Sequence, residues 1–244
     1  SRSLAARVRA SGRQVVTYGT VDDADVRLVG WAPSAGGEAS GRATLVGGPG
    51  SPVAVGEHVD LRLGVPGAHN ALNATAAWTV GVLLGAGPVA AAAALERFAG
   101  TGRRFEDRGT AAGVRVVDDY AHHPTEVAAL LRAARPVSGG RVLVLFQPHL
   151  YSRTRTFAGE FAEALALADH VVVTDVYAAR EDHDPSVTGG TITDLMDARG
   201  RFVPDRFEAA RAVAALAAPG DLVLTVGAGD VTELAPVILE ELSG

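Results

Sequence analysis

Apolar residues in the second half of the chain follow two alternating patterns. Continuous apolar runs predict buried β-strands at residues 114–117, 141–146, 170–174 and 221–226. Between these runs, apolar residues recur three and four positions apart, which predicts helices at residues 125–135, 157–168, 191–199, 207–217 and 231–242 and leaves a short strand at 202–203. Strands that alternate with helices in this way predict an α/β fold with a mostly parallel sheet.

The first half has a different pattern. Short apolar runs broken by turns predict strands at residues 15–18, 26–31, 43–46, 53–55 and 58–63, with a polar loop at 36–41. Two alanine-rich helices are predicted at 70–84 and 88–98. We therefore expect small antiparallel hairpins beside two helices. Because the pattern changes near residue 107, two domains are predicted, residues 1–106 and 107–244.

The composition narrows the classes of function. The 244 residues include no cysteine, and all 22 basic residues are arginine. Disulfides, thiolate metal sites, Schiff-base lysines and a lysine-containing phosphate loop are thus excluded for this sequence. The net charge of −6 argues against nucleic acid and anionic membranes as partners. Since no apolar run reaches the roughly 20 residues of a membrane span and no signal peptide is evident, we expect a cytoplasmic protein.

Polar side chains gather where the predicted strands end. These groups occupy residues 118–124, 147–154, 175–182 and 227–230. Ligands bind at the carboxyl ends of the strands in an open parallel sheet. We therefore expect one site at this edge, rich in carboxylates, imidazoles and arginines.

Each group also allows a plainer interpretation. Asp118 or Asp119 could cap the next turn, and His122 and His123 could be loop histidines. Residues 227–229 could form a tight turn or could present backbone N–H groups to an anion. Neither His-x-x-x-His nor His-Glu-x-x-His spacing occurs, so no metal site is predicted.

Two further charge patterns carry predictions. Arg153 and Arg155 could begin a solvated helix or, beside His149, recognise a carboxylate or a phosphate. Asp230 and Glu233 are predicted to act as a capping pair for the last helix.

In the first half, one helical face suggests nucleotide binding. Asn70 and Asn73 follow His69 and lie three residues apart, and a carboxamide offers the donor and acceptor that match an adenine edge. The alternative is that Asn70 caps the helix and Asn73 is incidental. Residues 99–104 are predicted to be a linker, whose arginine pair 103–104 could reach a phosphate or form a solvated charge pair.

Five motifs, in this order, resemble the Mur ligases. They are GAHNALNA at 67–74, GRRFE at 102–106, DDYAHHPTE at 118–126, FQPHLYSRT at 146–154 and YAARE at 177–181. The resemblance covers nearly the whole chain, and within the family the two nine-residue motifs are similar to the alanine-adding members.

The resemblance implies a fold and a reaction. Mur ligases have a UDP-sugar domain, a central ATPase-like domain and a Rossmann-like C-terminal domain. This sequence is similar to the back half of the central domain, residues 1–106, followed by the whole C-terminal domain, residues 107–244. The implied reaction uses ATP and Mg²⁺ to phosphorylate the lactyl carboxylate of UDP-N-acetylmuramate, and the amine of L-alanine then attacks the acyl phosphate.

The resemblance also implies two sets of site residues. The positions that match the family's ATP-binding residues are His69, Asn70, Asn73, Arg104 and Asp119. The positions that match the region receiving the amino acid are Tyr120, His122, His149 and Arg153. The arginine would neutralise the carboxylate of the amino acid. No catalytic residue and no metal ligand is carried over to this chain.

The sequence departs from the family pattern in several places. The phosphate loop, the magnesium ligands, the carbamoylated lysine of several members and the UDP-binding domain have no counterpart in it. Leu150 stands where many alanine-adding members have arginine, which shifts the work of holding the carboxylate to Arg153 and Arg155. Phosphoryl transfer depends on positioning and neutralising the γ-phosphate, so the chain alone is expected to be inactive and to need the N-terminal half of the same protein.

Two other functions fit the sequence. One is a ligase of the same family that attaches a murein tripeptide to the same sugar nucleotide. The other is a non-catalytic nucleotide-binding module. If the first domain is partial, residues 1–65 should expose apolar surface beside an unpaired strand edge.

Overall fold

The computed structural model describes residues 2–33 and 41–244, the side chain of Arg2 excepted. The chain divides into two compact units, residues 1–99 and 100–244. The polar loop predicted at 36–41 lies outside the described residues, except for Gly41, which begins a strand.

The first unit combines a small sheet with helices. In chain order its elements are α1 (Arg2–Ala10), β1 (Tyr18–Gly19), β2 (Val26–Pro33), β3 (Gly41–Gly47), β4 (His58–Leu63), α2 (Ala68–Leu83) and α3 (Pro88–Glu96). Its described strands follow the order β1-β2-β3-β4, in which the last three are antiparallel and β1 runs parallel to β2. The sheet packs on α2 through Trp78, which is buried together with Leu45 and Leu61.

Three expectations for this unit were incomplete or wrong. The first strand is only Tyr18–Gly19, and no strand forms at 53–55 because those residues belong to a turn in which Glu57 accepts the N–H of Ala54. α1 was not predicted, since Leu4 and Val8 are too few apolar residues to show a helical period. The expected exposed apolar residues are present, among them Leu4, Tyr18 and Val21.

The second unit is built on a six-stranded sheet within the fully described residues 100–244. Its elements are β5 (Glu106–Ala111), β6 (Val114–Asp119), α4 (Pro124–Ala134), β7 (Val142–Phe146), α5 (Tyr151–Thr156), α6 (Ala158–Leu165), β8 (His170–Val173), α7 (Gly190–Thr193), β9 (Gly200–Phe202), α8 (Arg206–Leu216), β10 (Leu222–Val226) and α9 (Leu234–Ser243). The strand order is β5-β6-β10-β7-β8-β9, and every neighbouring pair except β5–β6 is parallel. The predicted α/β fold with a mostly parallel sheet is confirmed.

The register of the sheet brings the strand ends together. Asp119 of β6 pairs with Val226 of β10, and Val226 pairs with Phe146 of β7. Every residue of β7 and β10 is buried, because helices cover both faces of the sheet. The polar segments after these strands therefore begin side by side at one edge.

Local differences from the predictions have local causes. β5 was missed because its sequence EDRGTA is polar, as an antiparallel edge strand can be. The helix predicted at 191–199 is the single turn α7, and α5 precedes the predicted helix at 157–168. The proposed capping pair of the last helix is wrong: the Asp230 carboxylate accepts from Gln147 Nε2 at 2.7 Å and pairs with Arg206.

At the opposite edge of the sheet, Asp221 joins two strands. Its carboxylate is buried and accepts hydrogen bonds from the backbone N–H groups of Arg141 and Ala218 and from the Arg141 guanidinium at 2.6 Å. Burial opposes ionisation of Asp221, but these donors outweigh it and hold the pKa of the carboxyl below its ordinary value. Asp221 therefore stabilises the fold in its charged form.

We expect Asp221→Asn to lower the free energy of unfolding by about 2 kcal/mol at pH 7, because charge-assisted hydrogen bonds are lost. A depressed carboxyl pKa contributes stability above the unfolded value, near 3.8, and loses it as the pH falls through the folded value. The deficit should shrink at pH 3 in urea titrations of this chain. The control is Asp197→Asn, whose pair with Arg199 is exposed and screened by solvent, so its loss should be clearly smaller; equal losses in the two variants would contradict the assignment.

Candidate substrate-binding site at the strand ends

A buried carboxylate lies beneath the candidate site. Asp118 is at the end of β6 and has no solvent exposure. It accepts hydrogen bonds from Thr225 Oγ1 at 2.6 Å, from Thr232 Oγ1 at 2.9 Å and from Arg103 Nε at 3.3 Å. Since every donor comes from a different segment, Asp118 joins β6, β10, the turn after β10 and the segment before β5.

Arg103 points inward rather than to solvent. Besides Asp118, its guanidinium donates to the carbonyl of Gly227 at 2.6 Å and lies 4.8 Å from the centre of the Tyr120 ring. The solvated charge pair considered for residues 103–104 is therefore wrong for Arg103. Arg104 is exposed, with its guanidinium 5.7 Å from the Tyr120 ring. Only Arg104 remains open to a ligand.

Asp119 fixes the segment that carries these arginines. One carboxylate oxygen accepts the N–H of Phe105 at 2.9 Å and the other accepts the N–H of Ala121 at 2.8 Å. Burial raises the pKa of Asp119 despite these two hydrogen bonds and the nearby Arg104. The capping interpretation is thus right for Asp119, which caps the turn at Ala121, whereas Asp118 bonds to other elements.

The two neighbouring histidines have different surroundings. His122 Nδ1 lies 2.9 Å from the carbonyl oxygen of Tyr120 and 3.4 Å from Glu126 Oε2. His123 caps α4 by accepting the N–H of Thr125, and its ring contacts Phe157. His122 belongs to the site, and His123 is a structural loop histidine.

His149 follows β7 and joins this cluster. Its ring stacks on Tyr177 with centroids 5.7 Å apart and meets the edge of His122 at 6.0 Å. Arg153 Nη1 faces its Nδ1 at 3.5 Å. Burial lowers the pKa of His149, and the neighbouring Arg153, His122 and Arg180 lower it further. These surroundings disfavour the charged form of the ring.

The loop after β8 holds α5, which carries Arg153. Tyr177 exchanges backbone hydrogen bonds with Pro148 and Leu150, and Glu181 accepts the N–H of Ser152 at 3.0 Å. Leu150 has a φ of 75°, a left-handed value that strains a residue with a side chain. Sequence reasoning missed Tyr177 as a neighbour of His149; the only signal was its place in a polar group at a strand end.

The two arginines of α5 differ in availability. Arg155 pairs with Asp184 and donates to Ser186, so its guanidinium is already occupied. Arg153 has no carboxylate partner among the described residues and is half-buried. Both lie in a helix, as one interpretation predicted, but only Arg153 joins the cluster.

The glycine turn after β10 is tightly packed. A side chain at Gly229 would collide with Gln147 and Tyr177, and Gly227 has a φ of 149°. Gln147 Oε1 also accepts the N–H of Val231 at 3.1 Å. These contacts favour the tight-turn interpretation of residues 227–229.

The predicted adenine-binding residues lie in the first unit, at the start of α2. Asn70 Nδ2 donates to the carbonyl of Pro66 at 2.7 Å, and no side chain caps the helix, so the capping interpretation of Asn70 is wrong. Asn73 is exposed on the same helix, and His69 is half-buried. The carboxamide of Asn73 is thus accessible to a ligand.

Comparisons with known proteins give the family. The sequence profile described as "Mur ligase, glutamate ligase domain" matches residues 103–229, more than half of the chain. The chain belongs to the Mur ligase family. Two proteins named UDP-N-acetylmuramate–L-alanine ligase, from Kineococcus radiotolerans and Paenarthrobacter aurescens, are 58% and 55% identical in sequence to this chain over its whole length. The chain spans about half the length of these curated relatives, 50% in both cases.

Solved structures agree with this assignment of the Mur ligase fold. The crystal structure of UDP-N-acetylmuramate-alanine ligase from Thermotoga maritima has a TM-score of 0.73 and 32% identity, covering 92% of this chain and 47% of its own. A MurF ligase from the same organism, in complex with ADP, has a TM-score of 0.71 at 19% identity and shows the fold alone. Within the described residues, no helix is long and apolar enough to cross a membrane.

The inward-pointing arginine of this Mur ligase chain gives a stability prediction. Arg103→Gln leaves the buried Asp118 with two hydroxyl donors and no cation. The free energy of unfolding should therefore fall by about 2–3 kcal/mol. Arg104→Gln is the matched control, expected to lose less than about 1 kcal/mol because that side chain is exposed. Urea unfolding of the two variants checks this. A loss in the control as large as in Arg103→Gln would refute the inward pairing as the cause.

Proposed function

We propose that this chain supplies the amino-acid site and part of the ATP site of an ATP-dependent ligase. The ligase joins L-alanine to UDP-N-acetylmuramate in peptidoglycan precursor synthesis, in the cytoplasm. The observation that carries the proposal is the convergence of Tyr120, His122, His149 and Arg153 at one sheet edge. Support also comes from the relatives that align with the whole of this chain, because they are named UDP-N-acetylmuramate–L-alanine ligases.

Arg153 is the proposed anchor for the carboxylate of the amino acid. Its guanidinium is fixed at one end of the cluster by His149 and has no competing carboxylate among the described residues. An uncharged His149 adds a polar edge without adding a second full charge. A guanidinium binds a carboxylate through paired hydrogen bonds, which suits a small amino acid.

The proposed nucleotide residues differ in how directly they can act. The exposed Asn73 and Arg104 are free to touch ATP, whereas Asn70 and Asp119 already bond to Pro66 and to backbone N–H groups. We therefore propose that Asp119 positions the segment of Arg104 rather than binding ATP itself. The place of His69 at the start of α2 leaves it a candidate for the adenine side.

The proposal assigns magnesium to the part of the protein outside this chain. Among residues 2–33 and 41–244, no group of three or more histidine, aspartate or glutamate side chains is arranged to hold a metal ion. Because Mg²⁺ can be held by one or two carboxylates together with substrate phosphates, no step is derived through the ion. From the resemblance of its motifs, we also propose that residues 1–106 form the back of the central domain and residues 107–244 the C-terminal domain.

The first experiment compares this chain with a chimera. The chimera joins this chain to the remaining half of the Kineococcus radiotolerans relative. We expect alanine-dependent release of ADP from the chimera and none from the chain alone, because nothing in this sequence cradles the γ-phosphate. Turnover by the isolated chain would refute the predicted inactivity, and a folded but inactive chimera would refute the proposed reaction.

A pair of arginine variants tests the amino-acid site in that chimera. Arg153→Gln should raise the KM for alanine by at least about 10-fold, with little change in the KM for ATP, because a charge-assisted hydrogen bond is worth about 1.5–3 kcal/mol. Arg155→Gln is the control, since Asp184 already occupies its guanidinium. The measurement is steady-state kinetics in which the concentration of each substrate is varied in turn. An equal change in the alanine KM of both variants would contradict the proposed amino-acid site.

A further inference from the structure

The position of one proton on His122 follows from its partner. His122 Nδ1 lies 2.9 Å from the carbonyl oxygen of Tyr120. A carbonyl oxygen can only accept a hydrogen bond, so Nδ1 must carry the proton. In the neutral ring the lone pair is then on Nε2. Among the described residues, no hydrogen-bond partner of Nε2 is found.

A carboxylate lies behind the same ring. Glu126 Oε2 is 3.4 Å from His122 Nδ1 and also accepts the backbone N–H of His122 at 3.0 Å. Glu126 is in the first turn of α4, so the helix fixes its position. A carboxylate beside Nδ1 stabilises the imidazolium that forms when Nε2 gains a proton, as in other carboxylate–histidine pairs.

Aromatic neighbours orient the ring without enclosing it. The edge of His122 meets Tyr120 at 5.1 Å and His149 at 6.0 Å, at interplanar angles of 75° and 61°. The side chain keeps 24% of its surface exposed. His122 is thus held rigidly and remains accessible to a ligand.

His149, the other histidine of the cluster, is arranged differently. A guanidinium can only donate, so Arg153 at 3.5 Å favours an unprotonated Nδ1 on His149 and places the proton on Nε2. The lone pair on Nδ1 of His149 is therefore directed at the Arg153 guanidinium. The lowered pKa of His149, caused by burial and then by Arg153, disfavours a further proton on this ring.

We infer that His122, supported by Glu126, takes the proton from the ammonium group of the incoming amino acid. This role rests on the proposed function. Nε2 accepts one proton, and the freed amine attacks the carbonyl carbon of the acyl phosphate. The C–N bond forms, the bond from that carbon to the phosphate oxygen breaks, and the departing phosphate takes the second amine proton. One ammonium and one acyl phosphate thus give one amide, one hydrogen phosphate and one imidazolium.

The charges around the cluster favour this transfer. The titratable groups packed on His122 are Tyr120, Glu126 and His149, with Arg153 and Arg180 beyond His149. The two arginines disfavour an extra cation at the substrate. Glu126 is the negative group that lies against the His122 ring.

The tautomers can be tested on this chain without any turnover. Long-range ¹H–¹⁵N spectra at pH 7.5 should show His122 with an unprotonated Nε2 and His149 with an unprotonated Nδ1. Variants His122→Gln and His149→Gln assign the signals. A proton on Nε2 of neutral His122 would overturn the inference whether or not the ligase proposal is right.

The proton transfer is tested in the chimera with two nucleophiles. Hydroxylamine is unprotonated at neutral pH and needs no base, whereas alanine is an ammonium ion. We expect His122→Gln to lower the rate of amide formation with alanine by about 100-fold or more and Glu126→Gln to lower it less. Both variants should retain hydroxamate formation from hydroxylamine. The residual rate of His122→Gln with alanine should also rise with pH as alanine loses its own proton.

The neighbouring histidine provides the matched control. His123→Asn keeps a capping residue at the start of α4 and should leave the alanine rate within about 2-fold of the parent. If His122→Gln loses amide and hydroxamate formation equally, its role is structural and the inference fails. A parent chimera that forms neither product refutes the proposed function instead, and the tautomer spectra then decide the arrangement of His122 separately.

Discussion

The architecture of the site depends on the buried carboxylate of Asp118. A charge without solvent contact is costly unless it is paired and hydrogen-bonded, and here Arg103, Thr225 and Thr232 meet that requirement. Each donor comes from a different segment, so satisfying one carboxylate fixes where these segments lie. The same arginine contacts Tyr120, whose carbonyl oxygen lies 2.9 Å from Nδ1 of His122. The chemistry at the surface of the site is thus tied to an ion pair beneath it.

Adjacent residues of the same type take different roles because their partners differ. His122 contacts a carbonyl and a carboxylate, whereas His123 caps a helix. Arg103 neutralises a buried charge, while Arg104 stays exposed. In each pair the first residue contacts other residues of the cluster or the carboxylate beneath it, and the second lies in different surroundings. Pairs of this kind supply internal controls, since composition and sequence position are matched and only the surroundings change.

The two units contribute different kinds of group. The second unit supplies an arginine, two histidines and a tyrosine at the end of a rigid parallel sheet, where fixed strands hold side chains in position. The first unit carries the exposed carboxamide of Asn73 near the start of α2, and several of its large apolar residues are exposed.

The sequence by itself determined the α/β fold and the sheet edge that carries the candidate site. Buried strands such as 142–146 are continuous apolar runs, and the polar residues that follow them were visible without coordinates. Short or polar elements such as β5 were not predictable, because their stability comes from a neighbouring strand rather than from their own periodicity. Only the tertiary structure decided that Asp118 pairs with Arg103, that Tyr177 stacks on His149 and that the Tyr120 carbonyl faces Nδ1 of His122. Those contacts join residues distant in sequence or depend on the direction of a single carbonyl, and no local pattern encodes either.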